Sequence, residues 1–174
     1  MTLITTNTSS NAATSDFNSS IDNTYKLYIF KFIDVNPATD NTNFTVQFNA
    51  AGQSGYNETI TSTYFSAERS EAGSSDFQYV TSADQAQGTG IQRLMGAMSS
   101  TADESGAGEF WLFNPSNTTY VKHWYSRCNN YNQGDISEDC FAAGYINTTS
   151  AIDEIQFSMS SDNLTGTIKM YGVG

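Results

Sequence analysis

Ile152-Asp153-Glu154-Ile155-Gln156-Phe157-Ser158-Met159, a Ser160-Ser161-Asp162-Asn163 link, and Gly166-Thr167-Ile168-Lys169-Met170-Tyr171-Gly172-Val173 form the stretch that decides the fold. Apolar and polar residues alternate in both arms, which places every second side chain on one face of a strand. Ser, Asp and Asn favour the turn between them because their short side chains hydrogen-bond the local backbone. The stretch therefore predicts a closing pair of β-strands around a tight polar turn. Ala143-Gly144-Tyr145-Ile146-Asn147-Thr148-Thr149-Ser150 leads into it.

Outward from this pair, the same signals recur along the chain. Residues 25–35 (YKLYIFKFIDV) are nearly continuous in apolar and aromatic side chains and predict a central strand. Phe44, Val46 and Phe48 alternate with Thr45, Gln47 and Asn49, the pattern of a half-buried strand. Further strands are predicted over 59–65, 76–80, 110–113, 120–128 and 141–146. Residues 82–88 suit a helical turn or a loop, and 91–98 suit a strand or a helix equally. About ten short strands separated by Gly, Asn and Ser turns predict an all-β chain, an antiparallel β-sandwich or jelly-roll-like single domain over 21–174. Residues 1–20 are a Ser/Thr/Asn tract that would fray alone. It is expected to be a polar arm, held by the domain's own sheet or by a neighbouring chain. In the second case Leu3, Ile4 and Phe17 would be its inter-subunit contacts.

Composition narrows the function classes. Charged residues are 14% of the chain and mean hydropathy is −0.42, so the polarity comes from Ser, Thr, Asn and Gln. The net charge of −11, with only seven Lys and Arg, repels phosphate backbones and argues against nucleic acid as a partner. No basic amphipathic helix suits an anionic membrane, no apolar run is long enough to span one, and no signal peptide is visible.

Catalytic and metal chemistry find little to build on. His123 is the single histidine, which excludes multi-histidine metal sites. It sits in Val121-Lys122-His123-Trp124-Tyr125 and reads as a sheet-face residue among aromatics. No Gly-x-Ser-x-Gly elbow is present, so the chain is expected not to be an enzyme. The pairs Asp103-Glu104, Glu138-Asp139 and Asp153-Glu154 read as solvated loop charges, since surface carboxylates are commonplace. Neighbours on a strand point to opposite faces, so Asp153-Glu154 cannot by itself supply two facing carboxyls. Residues 129–139 offer oxygen ligands of the kind Ca2+ takes, without the EF-hand spacing. Cys128 and Cys140 flank that segment and are expected at matching positions of a hairpin, as free thiols in a reducing cytosol or as a disulfide once exported. Trp111, Trp124, Tyr125 and Tyr131 are either core aromatics or a glycan-contact platform.

The closing residues carry a resemblance as well as a periodicity. Ile152-Asp153-x-Ile155-x-Phe157, the Asn163 turn and Gly166-Thr167-Ile168-x-Met170-Tyr171-Gly172 resemble the last strands of small β-sandwich virion structural proteins of tailed bacteriophages, marine phages especially. Tyr25-Lys26-x-Tyr28-Ile29-Phe30-x-Phe32 extends the likeness more loosely. The resemblance implies a non-enzymatic role on the particle surface after assembly in the host cytoplasm, as a capsid decoration or cement protein. Its other form is a tail-fibre or tail-tip receptor-binding module for host surface glycans. It further implies the major capsid protein or other virion proteins as partners, and a homo-oligomer such as a trimer. The matching positions Ile152, Ile155, Phe157, Ile168 and Tyr171 are core and pairing residues, and none is catalytic.

Overall fold

The computed structural model describes every residue from Met1 to Gly174, and all regular elements in it are strands. In chain order they are β1 (Thr2–Ala12), β2 (Thr14–Phe17), β3 (Leu27–Pro37), β4 (Thr42–Ala50), β5 (Ile60–Ser70), β6 (Ser75–Tyr79) and β7 (Ala86–Gly88). Then come β8 (Gln92–Met98), β9 (Gly106–Phe113), β10 (Lys122–Asn132), β11 (Ile136–Ile146), β12 (Ile152–Met159) and β13 (Leu164–Val173). Thirteen strands replace the ten expected, and the undecided 91–98 segment is strand β8.

All pairings are antiparallel and group into two arms. The larger runs β1-β13-β3-β9-β10-β11-β5, with β6 and β7 along the far edge of β5. The smaller runs β8-β4-β12-β2. A single backbone pairing, Asn132 with Met98, joins them. The expected pair of separate sheets is therefore one continuous sheet folded over on itself, nearly closed and barrel-like. The cause is the length of β10, whose polar end Asn129-Asn130-Tyr131-Asn132 stays in the ladder long enough to meet β8.

The closing strands keep their predicted places but do not pair with each other. β12 pairs with β4 and β2, whereas β13 pairs with β1 and β3. The link between them crosses from one arm to the other. Thr42 anchors it, with its hydroxyl 3.0 Å from Ser160 Oγ and donating to the Ser161 carbonyl at 3.2 Å, while Asp162 takes a left-handed φ of 65°. This crossing turns the apolar faces of β12 and β13 toward one shared interior.

Phe157 marks the centre of that interior. Its ring lies 5.4 Å from Phe30, 5.1 Å from Phe32 and 5.8 Å from Phe44 between centroids, and it also meets Phe17 and Phe110. These rings come from both arms, so the aromatic cluster holds the fold closed where backbone pairing does not. Stacked and edge-to-face aromatic pairs add about 0.5–1.5 kcal/mol each beyond area burial.

One expectation is corrected here, and one open alternative is decided. β4 is buried on both faces, because the residues between β4 and β5 and those after β7 cover its polar side. Gln47 Nε2 donates to the carbonyls of Glu58, Thr89 and Gly90, which satisfies a side chain that patterning placed in water. The 1–20 tract is part of the sheet, with β1 on β13 and β2 on β12. Phe17 belongs to the core at 2% exposure, Ile4 packs against that core, and Leu3 stays half exposed. No helix is long and apolar enough to cross a membrane.

Candidate functional site

β10 has the cleanest alternation in the chain, with every second residue buried from Lys122 to Asn130. Its inward residues include Trp124, Ser126, Cys128 and Asn130, and its outward ones are His123, Tyr125, Arg127 and Asn129. β9 and β11 flank it in unbroken register and repeat the pattern. The outer face of the large arm is thereby fixed by register, and it is unusually aromatic for a face open to water.

Trp111 and Tyr125 stand opposite each other on β9 and β10, stacked with centroids 5.4 Å apart and planes 16° apart. Phe113 joins them 5.8 Å from Tyr125. A second stack lies across the same face, where Phe141 of β11 and Phe65 of β5 are 4.8 Å apart and nearly parallel, with Phe77 of β6 beyond at 5.7 Å. Ala143, opposite Tyr125, leaves the space between the stacks unfilled. The resulting groove of about 300 Å³ is lined mainly by Phe65, Tyr125, Phe141 and Ala143, and Arg127 closes one end. Tyr125, Phe113 and Phe77 are 37%, 36% and 70% exposed, so the aromatic run continues at the surface.

Charges border this run. Lys31 pairs with Glu109, Arg127 pairs with Asp139 at 2.9 Å, and the Arg127 guanidinium sits 5.0 Å over the Phe141 ring. Burial pushes the Glu109 carboxyl up, but the hydrogen bond and charge of Lys31 outweigh it and hold the group below its usual range. Lys169 and Arg69 also lie on outward positions of β13 and β5. Four of the seven Lys and Arg thus decorate one face of an acidic protein.

The four aromatic candidates separate. Trp111 and Tyr125 share the outer face, whereas Trp124 is buried against Phe110 at 5.4 Å and cannot contact a glycan. Tyr131 lies six residues beyond Tyr125, roughly 20 Å along the strand, with its hydroxyl donating to Glu71 or Asp135 at 3.2 Å. His123 is exposed on the outer face beside Tyr145, as the sequence suggested. Cys128 and Cys140 face each other on β10 and β11 as buried free thiols, and burial pushes both up.

The segment read as a calcium loop is mostly strand. Only residues 133–135 form the turn, and Asn129 Nδ2 is spent on Ser137 Oγ and the Glu138 carbonyl. No three His, Cys, Asp or Glu side chains converge as a metal site would need.

One constellation escaped the sequence. Glu68 and Glu138 are directly opposite on β5 and β11 and line a polar cleft of about 240 Å³ with Arg93, Asn43 and Gln78. Glu138 is 5% exposed, not a solvated charge, and burial pushes its carboxyl up, with the charge of Glu68 adding to the effect. Gln78 Nε2 donates to Glu68 at 2.9 Å and Asn132 Nδ2 to Glu138 at 3.3 Å. The two carboxyls come from segments far apart in sequence, and only the β5–β11 register could have revealed them. No protein-family model matches this chain, and no curated protein sequence matches it.

Proposed function

We propose that this chain is a non-enzymatic structural protein of a phage particle, a capsid decoration or cement protein that docks through the outer face of its large arm. The observation that supports this most is the stacked aromatic run from Phe113 to Phe77. Contiguous exposed apolar surface on a stable sheet is characteristic of protein contacts, and aromatic residues with Arg are enriched at their centres. The closing-strand resemblance gives the particle context. Acidity away from this face suits an outward orientation, since packaged DNA would repel it. In this reading the folded-over sheet acts as a flattened sandwich whose two layers keep the docking face rigid.

The test is incorporation into particles. Trp111→Ala with Tyr125→Ala should leave a folded protein, checked by circular dichroism, that no longer co-purifies with assembled particles. Retention at parental level would refute docking through this face.

A second reading takes the same Trp111–Tyr125 stack as a glycan platform on a tail-fibre or tail-tip module. Amphipathic rings beside Arg127 favour it. Binding to host surface glycans on an array, lost in Tyr125→Ala, would select this reading; no signal above background would remove it.

A further inference from the structure

We propose that two copies of this chain join edge to edge, with β1 of one pairing antiparallel with β1 of the other. The inference is independent of what the outer face docks on. Along one side β1 hydrogen-bonds to β13, and along the other no backbone hydrogen bond links it to any part of the chain. β2 runs nearby but is reached only through a side chain, Asn7 Nδ2 donating to the Asp16 carbonyl at 2.8 Å. Open edges of this length are templates for a further strand, and proteins that must avoid pairing protect them with charge or proline. β1 has neither. Residues 1–15 contain no Asp, Glu, Lys, Arg or Pro, in a protein of net charge −11.

That charge pattern is what selects a second copy as the occupant. Two molecules of this acidity repel each other over most of their surface, and β1 is the edge they can share without opposing like charges. The other open edges are short: β2 has four residues and carries Asp16, β7 has three, and β6 has five, carries Asp76 and lies between Glu71 and Asp84. Met1 and Leu3, 71% and 50% exposed, lie at the end of β1 farthest from β2 and would be covered by the pairing. An antiparallel β1–β1 contact is self-complementary, as a two-fold interface requires. Ile4 has no partner in the β13 register, so the regular segment from Thr5 to Ser9 is the core of the new ladder.

Sedimentation equilibrium on the full chain, from about 1 µM to about 1 mM, tests the proposal. The parent should pass from monomer to dimer, and Thr6→Glu with Thr8→Glu should weaken the dimer about tenfold or more by opposing like charges across the ladder. Asn57→Glu with Thr119→Glu, which adds the same charge at exposed sites elsewhere, should leave it within about twofold. Because edge variants can perturb folding, hydrogen exchange of the parent gives a second measure: amides of residues 5–9 should gain protection at the higher concentration. A monomer throughout the range, a dimer insensitive to the β1 glutamates, or unchanged exchange over residues 5–9 would overturn the proposal.

Discussion

Glu68 and Glu138 face each other across the β5–β11 ladder with their side chains turned into one polar cleft, and Glu138 is almost fully buried. Burial first, and then the charge of Glu68, raises the Glu138 carboxyl above the ordinary glutamate range, against donors such as Asn132. A carboxyl raised on folding holds its proton longer in the folded chain than in the unfolded one. Its contribution is therefore most favourable below the ordinary glutamate pKa and is lost as pH rises toward the folded value.

Replacing Glu138 by Gln keeps the shape and a hydrogen-bonding end but removes the charge. The variant should melt at a higher temperature than the parent at pH 7, and the difference should shrink near about pH 4, where both chains are neutral at this site. Thermal melts at the two pH values decide this. A variant less stable at pH 7 would mean that the charge is stabilised by Arg93, not merely tolerated.

Phe157 tests the closure of the fold. Phe157→Ala should cost about 3–5 kcal/mol in denaturant unfolding, since the rings around it come from both arms and cannot all collapse into the gap. Phe77→Ala, at a side chain 70% exposed, should stay within about 0.5 kcal/mol. Equal losses at the two sites would contradict the assignment of core and docking face.

The paired cysteines give a chemical check. Both are buried free thiols, so alkylation of the native protein should be slow, and two labels should appear per chain in denaturant without reductant. No labels under those conditions would show a Cys128–Cys140 bridge, which directly opposed strand positions are close enough to form.

Strand positions were legible in this sequence because period two is written into it locally. The prediction for 152–159 coincides with β12, and the Cys128–Cys140 hairpin falls where the spacing put it. Partnership was less legible. The same Ser160–Asn163 link suits a hairpin or a crossing between arms, and the choice rests on Thr42, more than a hundred residues away in the chain. Burial of Gln47 and Glu138 was hidden for a related reason. Gln47 lies on the polar face of β4, which a distant segment covers, and Glu138 shares the inward face of β11 with Cys140 and Ala142, where distant segments close over it. Trp111 and Trp124 illustrate the limit for the site. Both are tryptophans flanked by aromatics, yet register sends one outward and the other into the core.

The most direct test of the central proposal is quantitative mass spectrometry of purified particles, counting this chain against the major capsid protein. A ratio near one per capsid subunit or per capsid trimer is the expected result for a decoration or cement protein. A chain missing from the particles, or present in only a few copies as a tail component would be, would contradict it.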